Sequence, residues 1–380
     1  MNDEQVDVAV VGLGIMGASA LWRLARRGLR VVGIDRFESP NAMGSSQGET
    51  RMLRTAVWEG DDYVPWIRRS CELWRELEQE SGRALLSPIG VLLLGARDGA
   101  FVEGSVAALR GGSFRYELLS RGEMAERFPQ HRLDDGDVGV LDRDGGVLGA
   151  EASVAAALAA ARAHGAAVST GAAVEELSAA GGAVTIAAGE RRWQADHVVV
   201  AAGAWLPQLL PELACELRIE RHVYGWFATD GAPAFAPERC PAFMRGADLY
   251  GFPAVDGATI KVGFPVCAGP TSVDAIVRSV QREELEAMRL GLIAPRLNGV
   301  GAPVAGLPRS YACMTTNTPD RDFLIGAPAG MPWLTVLGGF SGHGFKYGPA
   351  VGETAAELVV DGASTLPVAR FSPDRFVAAA

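Results

Sequence analysis

The sequence predicts an α/β protein: a Rossmann-like FAD-binding domain carrying an inserted antiparallel-sheet domain for substrate. Three observations predict it. "VDVAVVGLGIMGASALWRLARRGLRVVGIDR" near the N-terminus reads as strand, tight turn, helix and strand. Two later segments, "HVVVAAGAWLPQLL" at 197–210 and "WLTVLGGFSGHGFKYGPAVGETAAELVVDG" at 333–362, repeat the pairing of a β run with glycines. Between 216 and 265, "IERHVYGWFATD", "DLYGFPAVDG" and "TIKVGFPV" read as strands separated by Gly, Pro and Asp turns.

In the first segment Val6, Val8 and Val10–Val11 form a short buried run. Gly12, Gly14 and Gly17 then spell G-x-G-x-x-G where the helix opens. Gly12 permits the turn, Gly14 leaves room for a pyrophosphate against the backbone, and Gly17 lets helix and strand pack closely. The helix N-terminus offers free N–H groups and positive dipole to the phosphates. Asp35 closes the second strand, where a carboxylate accepts hydrogen bonds from a ribose diol.

This pattern alone is compatible with NAD as well as FAD. FAD is favoured because the motif starts almost at residue 1 and because the fold is assembled from three separated segments. The turn after the 333–337 strand, with Gly339, Gly342 and Gly344, can place backbone N–H groups and a helix N-terminus against an electron-rich ring.

Between these segments, 61–81 carries Val64, Ile67, Cys71, Trp74 and Leu77 at helical spacing, stopped by Gly82. That stripe reads as core, and Cys71 on it as inert. Residues 87–97 read as a strand, the alanine-rich run ending near Gly165 as a helix followed by a short strand, and 272–292 as one amphipathic helix. The expected division is 1–85, 146–215 and 300–380 for the FAD-binding domain, with 86–145 and 216–299 for the substrate domain.

A chain of 380 residues with 48% hydrophobic content has room for two or three packed domains. A net charge of −10 and the absence of Lys/Arg clusters argue against nucleic acid as a partner. Acidic residues in "MNDEQVDVAVVG" replace the basic region of a signal peptide, and no run of about 18 apolar residues occurs, so a cytoplasmic protein without a membrane partner is expected. The cysteines at 71, 215, 240, 267 and 313 form no CxxC pair; neither disulfides nor a metal site is expected.

"GSSQGETRMLRTAVWEGDDYVP", "YGFP", "IKVG", "ACMTTNTPDRDFLIG" and "GFSGHGFKYGPAVGE", in this order along the chain, resemble the monomeric sarcosine oxidase and N-methyltryptophan oxidase family. These are FAD enzymes that oxidise the C–N bond of secondary amino acids. The resemblance implies that Cys313 is the covalent attachment point of the flavin; read from sequence alone, it is a small buried hydrophobe. It implies that Arg54 and Lys346 grip a substrate carboxylate, a planar fork and a point charge converging from distant segments. It places Thr50 and Arg51 beside the flavin ring, Lys261 where oxygen is activated, Tyr250 over the flavin face, and His343 in the glycine-rich turn. The cofactor set implied also takes in Arg36, Ser45 and Val174, then Gly203 and Trp205.

The chain departs from the family at Ser46 and Gln47, where histidines stand, at Pro265, four residues after Lys261, in place of an active-site histidine, and at Thr315, in place of a tyrosine. The flavin machinery is kept while part of the substrate pocket is altered. The expected activity is therefore oxidation of a secondary amino acid or related amine to an imine, with O₂ giving hydrogen peroxide, by a monomeric protein. The alternatives are an oxidase that desaturates a cyclic or biosynthetic intermediate, a flavin dehydrogenase with another electron acceptor, and a non-catalytic FAD-binding protein.

Overall fold

The computed structural model describes residues 4–229, 233–246, 249–264, 270–304 and 310–376. Pro265 and Cys267 lie outside the described residues, as does the Cys215 side chain. Strand β1 (Glu4–Val11), helix α1 (Ile15–Arg26) and strand β2 (Val31–Ile34) form the first expected unit. β1 runs parallel to β2 on one side and to the strand Arg191–Val200 on the other. Val198–Val200 pair in parallel with Leu334–Val336, and β2 pairs with Ala167–Ser169. The sheet is thus drawn from the start, middle and end of the chain. Its central strands are near-continuous apolar runs because helices or loops cover both faces.

The helices Gly348–Asp361 and Ala150–Ala163 pack on α1, and α2 (Tyr63–Ser81) packs on those two. A Cβ at Gly352 would stand 2.5 Å from the Ser19 carbonyl carbon, so glycine is what allows the last helix to touch the α1 backbone. Trp22, Trp66, Trp74 and Leu77 fill the layer beneath. α2 ends at Gly82 in the left-handed conformation, as the sequence anticipates.

Among the described residues the second sheet has ten strands, antiparallel except where Ala242–Arg245 runs parallel to Val91–Ala96. Its long strand, Arg218–Thr229, pairs with the Lys261 strand (Thr259–Phe264) on one side and the Cys313 strand (Ser310–Asn317) on the other. The Tyr250 strand (Leu249–Phe252) follows the Lys261 strand. Val300–Pro303 and Ser310–Asn317 therefore both sit in this sheet. A third, small sheet pairs Thr50–Leu53 with Gly146–Gly149 and brings Arg51 and Arg54 to the junction of the two larger ones.

The helix expected over 272–292 needs correction. An α-helix covers only Arg282–Met288, continued by a π-helical turn over Arg289–Ile293. The reason is Arg221, whose guanidinium donates to the Val277 carbonyl at 2.7 Å and the Ser279 carbonyl at 3.0 Å, claiming acceptors that a helix would use. Gln281 then starts the helix through a capping box with Glu284. Among the described residues no helix is long and apolar enough to cross a membrane.

Candidate active site

A cavity of about 870 Å³ runs from the turn after β1, along the ends of the parallel strands, to the face of the second sheet. At its first end the glycines act as the motif demands. Gly12 has φ +92°, and a Cβ there would lie 2.5 Å from the Ala201 carbonyl oxygen. A Cβ at Gly17 would lie 1.8 Å from the Gly12 carbonyl oxygen, so Gly17 fixes the approach of α1 to β1. At Gly14 a Cβ meets only the Ser46 side chain, at 3.2 Å, on the cavity wall. This leaves backbone and helix N-terminus facing open space, a cradle suited to a pyrophosphate.

Asp35 accepts from Leu13 N at 2.6 Å and from Phe37 N at 2.8 Å, so its carboxylate is fixed at the cavity wall. Burial raises its pKa, partly offset by those two bonds. The Arg36 guanidinium stacks 5.3 Å above Trp205, and with Val174 and Gly203 they line the same end. This donor set and shape fit an adenine dinucleotide such as FAD.

At the other end the cavity meets Ser45, Arg51, Arg54, Tyr250, Cys313 and Thr315, with Gly339, Gly342, His343, Gly344 and Lys346 from the last segment. Gly339 and Gly342 take φ +60° and +79°, which makes the turn. Cys313 is 4% exposed and packs with Tyr224 and Trp226. Burial raises its thiol pKa, against the pull of the nearby Arg51 and Lys261 cations. Cys71, by contrast, is pushed up to about 12 by burial within the helical layer, which agrees with its inert reading.

Thr50 and Lys261 do not line the cavity among the residues that form its wall. The Lys261 ammonium lies behind Arg51, donating to the Gly48 carbonyl (2.6 Å), the Thr50 carbonyl (2.9 Å) and Thr50 Oγ1 (3.2 Å). Tyr224, Phe252 and Trp226 enclose it at 4.5, 4.8 and 5.5 Å. Burial and then Arg51 hold its pKa well below the ordinary value. Arg51 donates to the Thr50 and Ser45 carbonyls, both at 2.9 Å.

Arg54 and Lys346 do converge, and a residue that the sequence did not single out stands between them. Glu59 pairs with both terminal nitrogens of Arg54, which also donates to the Ala56 carbonyl at 2.6 Å. Burial alone would raise the Glu59 carboxyl, but Arg54, Lys346 and His343 pull it well below the usual carboxylate range. The backbone at Arg54 is pinned by the next two residues: Thr55 and Ala56 N–H groups donate to the buried Asp142. Lys346 is pinned through its carbonyl, which accepts from Ser70 Oγ (2.7 Å) and Trp74 Nε1 (2.8 Å) of α2. Its ammonium donates to the His343 carbonyl at 2.7 Å, and burial keeps its pKa well below the ordinary value.

His343 donates from Nε2 to the Arg321 carbonyl at 3.0 Å; its buried Nδ1 has no hydrogen-bond partner and faces Glu59 Oε1 at 3.4 Å. Gln47, at a departure from the resembled family, accepts from Tyr224 Oη at 2.7 Å and leaves its buried Nε2 unpartnered. Thr315 lines the cavity beside Asn317, whose amide reaches Thr315 Oγ1 at 3.3 Å and Glu220 at 2.6 Å. His222 and Glu59 were missed because each is an ordinary residue within its own segment. The one usable signal for Glu59 was an acid five residues after an arginine already expected to bind a carboxylate.

Residues 7–358 match the family described as FAD dependent oxidoreductase (DAO). The chain is 35% identical to a monomeric sarcosine oxidase of Streptomyces avermitilis, covering 98% of each chain. It is 32% identical to an N-methyl-L-tryptophan oxidase of Salmonella arizonae, over 97% of this chain and 99% of the other. Among solved structures it resembles NikD, an unusual amino acid oxidase essential for nikkomycin biosynthesis, with a TM-score of 0.82 at 26% identity, over 97% of this chain and 98% of that one.

Proposed function

The chain belongs to the FAD dependent oxidoreductase family, and within it we propose that it oxidises a secondary amino acid or related amine at the C–N bond, giving an imine. The observation that carries this reading is the meeting of Arg54 and Lys346, from opposite ends of the chain, around a carboxylate beside Tyr250 and Cys313 in one cavity. The pairing of Glu59 with Arg54, and its place beside the Lys346 charge, supports a carboxylate as the group these cations take. A substrate carboxylate takes its place on the Arg54 fork or shares the cluster with it, and the buried Nδ1 of His343 offers a further polar contact.

Bound FAD supplies the acceptor for the two electrons and the hydrogen that leave the carbon next to nitrogen. The protein's own part is to hold the carboxylate, to present the amine near Tyr250, and to exclude water with the aromatic wall of Tyr224, Tyr250 and Phe252. Cys313 is proposed as the covalent attachment point, supported by its place on the cavity wall among Tyr224, Trp226 and the Arg51 cation. Acid precipitation tests it: wild-type protein should keep yellow flavin in the pellet, and Cys313→Ala should release it.

Electrons pass to O₂ in the main reading, giving hydrogen peroxide, with the protein a cytoplasmic monomer. One observation favours a second reading, a dehydrogenase with another acceptor: the three N–H groups of Lys261 are all engaged by Gly48 and Thr50, away from the cavity wall. Anaerobic mixing with sarcosine, N-methyltryptophan, proline and pipecolate, watching the flavin bleach, tests the substrate class. Bleaching by none would defeat the proposal. Readmitting air then separates the two readings, because only an oxidase recovers its colour promptly and yields peroxide.

A further inference from the structure

One residue on the cavity wall, His222, has no part in the reading above. His222, partly buried, lies on the long strand directly opposite Cys313, so both side chains face the same side of the sheet. Its Nε2 lies 2.9 Å from Tyr250 Oη, and the two rings are stacked, 5.8 Å apart and 10° from parallel. Tyr250 belongs to a strand two places away, and its ring reaches His222 by lying across Gly263 of the intervening strand. A Cβ at Gly263 would stand 2.0 Å from Tyr250 Cζ and 2.1 Å from its hydroxyl oxygen. A glycine therefore makes the room that joins the two side chains.

The pair is set among cations: Arg51 and Lys261 both act on His222, and burial first, then these two charges, push its pKa down to about 4. A neutral imidazole at Nε2 either accepts the hydroxyl hydrogen or donates its own. These alternatives present opposite faces to an amine. If the imidazole donates, the hydroxyl hydrogen points to the cavity and is accepted by the nitrogen lone pair, which amine oxidation needs free. If the imidazole accepts, the Tyr250 oxygen offers lone pairs to an amine N–H and leaves the nitrogen lone pair unengaged.

We propose that His222 is a positioning residue that takes the hydroxyl hydrogen of Tyr250, so that the tyrosine oxygen accepts the N–H of a neutral amine and selects substrates that retain one. This rests on the amine-oxidation reading. It adds a discrimination that the Arg54–Lys346 cluster cannot make, because secondary and tertiary amino acids carry the same carboxylate. The surrounding cations work in the same direction by disfavouring a bound ammonium ion.

Two measurements on the holoenzyme test it. The first is nitrogen NMR of ¹⁵N-histidine-labelled protein near neutral pH. The chain has five histidines, and the His222 signal is assigned by its loss in His222→Gln. The proposal expects an unprotonated Nε2 and a protonated Nδ1; a protonated Nε2 overturns it. The second compares the apparent affinities of L-proline and N-methyl-L-proline, read as the concentration dependence of the flavin change, whether perturbation or the rate of bleaching, without oxygen at about pH 9. Wild type should favour the N–H ligand by about fivefold, the size of one neutral hydrogen bond. His222→Leu and Tyr250→Phe should lose that preference, and His222→Gln, whose amide oxygen can accept the same hydrogen, should keep part of it. An unchanged preference in His222→Leu overturns the proposal. Failure of both ligands to bind in every variant would count against the amine reading itself, and the NMR tautomer would still decide whether Tyr250 faces the cavity as acceptor.

Discussion

Two buried cation clusters stand within this cavity's walls, and they are satisfied in different ways. Around Lys261 and Arg51 the partners are backbone carbonyls of 45–50 and aromatic faces. Around Arg54 and Lys346 the main partner is a carboxylate, Glu59. Both lysines have pKa values held well below normal by burial, so that property does not separate them. The partner does. A backbone carbonyl cannot be exchanged, whereas a side-chain carboxylate can give way to a ligand carboxylate of equal charge. On the proposed reading the first cluster is scaffold for the segment leading into the Arg51 strand, and the second is a binding site held closed on its own anion.

The largest test of that contrast is Arg54→Leu. Losing one member of a buried ion pair costs about 3–5 kcal/mol, so binding of L-proline or another carboxylate ligand to the holoenzyme should weaken by a hundredfold or more. An affinity within threefold of wild type would break the contrast. Next comes Lys261→Met, which removes one of the two donors on each of the Gly48 and Thr50 carbonyls, leaving Thr50 N on the first and Arg51 on the second. At roughly 0.5–1.5 kcal/mol for each hydrogen bond lost, stability to urea should fall by about 1–3 kcal/mol while carboxylate affinity changes little. A loss of affinity as large as that of Arg54→Leu would make both clusters one site.

Glu59→Gln should act in the opposite direction on binding, tightening carboxylate ligands about tenfold by removing an internal competitor, and should lower the melting temperature through the unpaired cations. Unchanged affinity would show that ligands never reach Arg54. The smallest effect concerns pH. Each cluster holds a histidine whose pKa burial lowers to about 4, His222 and His343. Above pH ~6.5 both are neutral whether folded or unfolded and contribute no pH dependence. Below it the unfolded chain takes up the protons first, so stability falls as pH drops from ~6.5 towards 4, by up to about 1.4 kcal/mol per pH unit for each. Acid titration of the unfolding free energy reads this. Replacing His343 by Gln should flatten the fall, and an unaltered slope would mean that this ring is not neutral in the folded protein.

The nucleotide end was legible in the sequence because backbone geometry dictates residue type there. Gly12 and Gly17 could be nothing else given contacts of 2.5 and 1.8 Å to an added Cβ, and Asp35 follows from the end of the second strand. Arg54 and Lys346 were legible only through resemblance to a family, since each alone reads as a surface charge. Glu59 and His222 were not legible as site residues. His222 owes its place to strand register and to a ring passing over Gly263, and Glu59 to the approach of His343 and Lys346 from the far end of the chain. The helix expected at 272–292 failed for a related reason: its periodicity is genuine, but a distant arginine takes its carbonyls.

The parallel sheet carries a further consequence for the life of the chain. β1 leaves the ribosome more than three hundred residues before Leu334–Gly338, which join its sheet, and before the helix ending at Asp361, which covers α1. Contacts across more than three hundred residues make this a slow topology to close. The glycine turn that opens the cofactor cradle is therefore translated long before residues 337–346, which close the same cavity. Until that later segment is in place the pocket that the turn serves has only one of its ends.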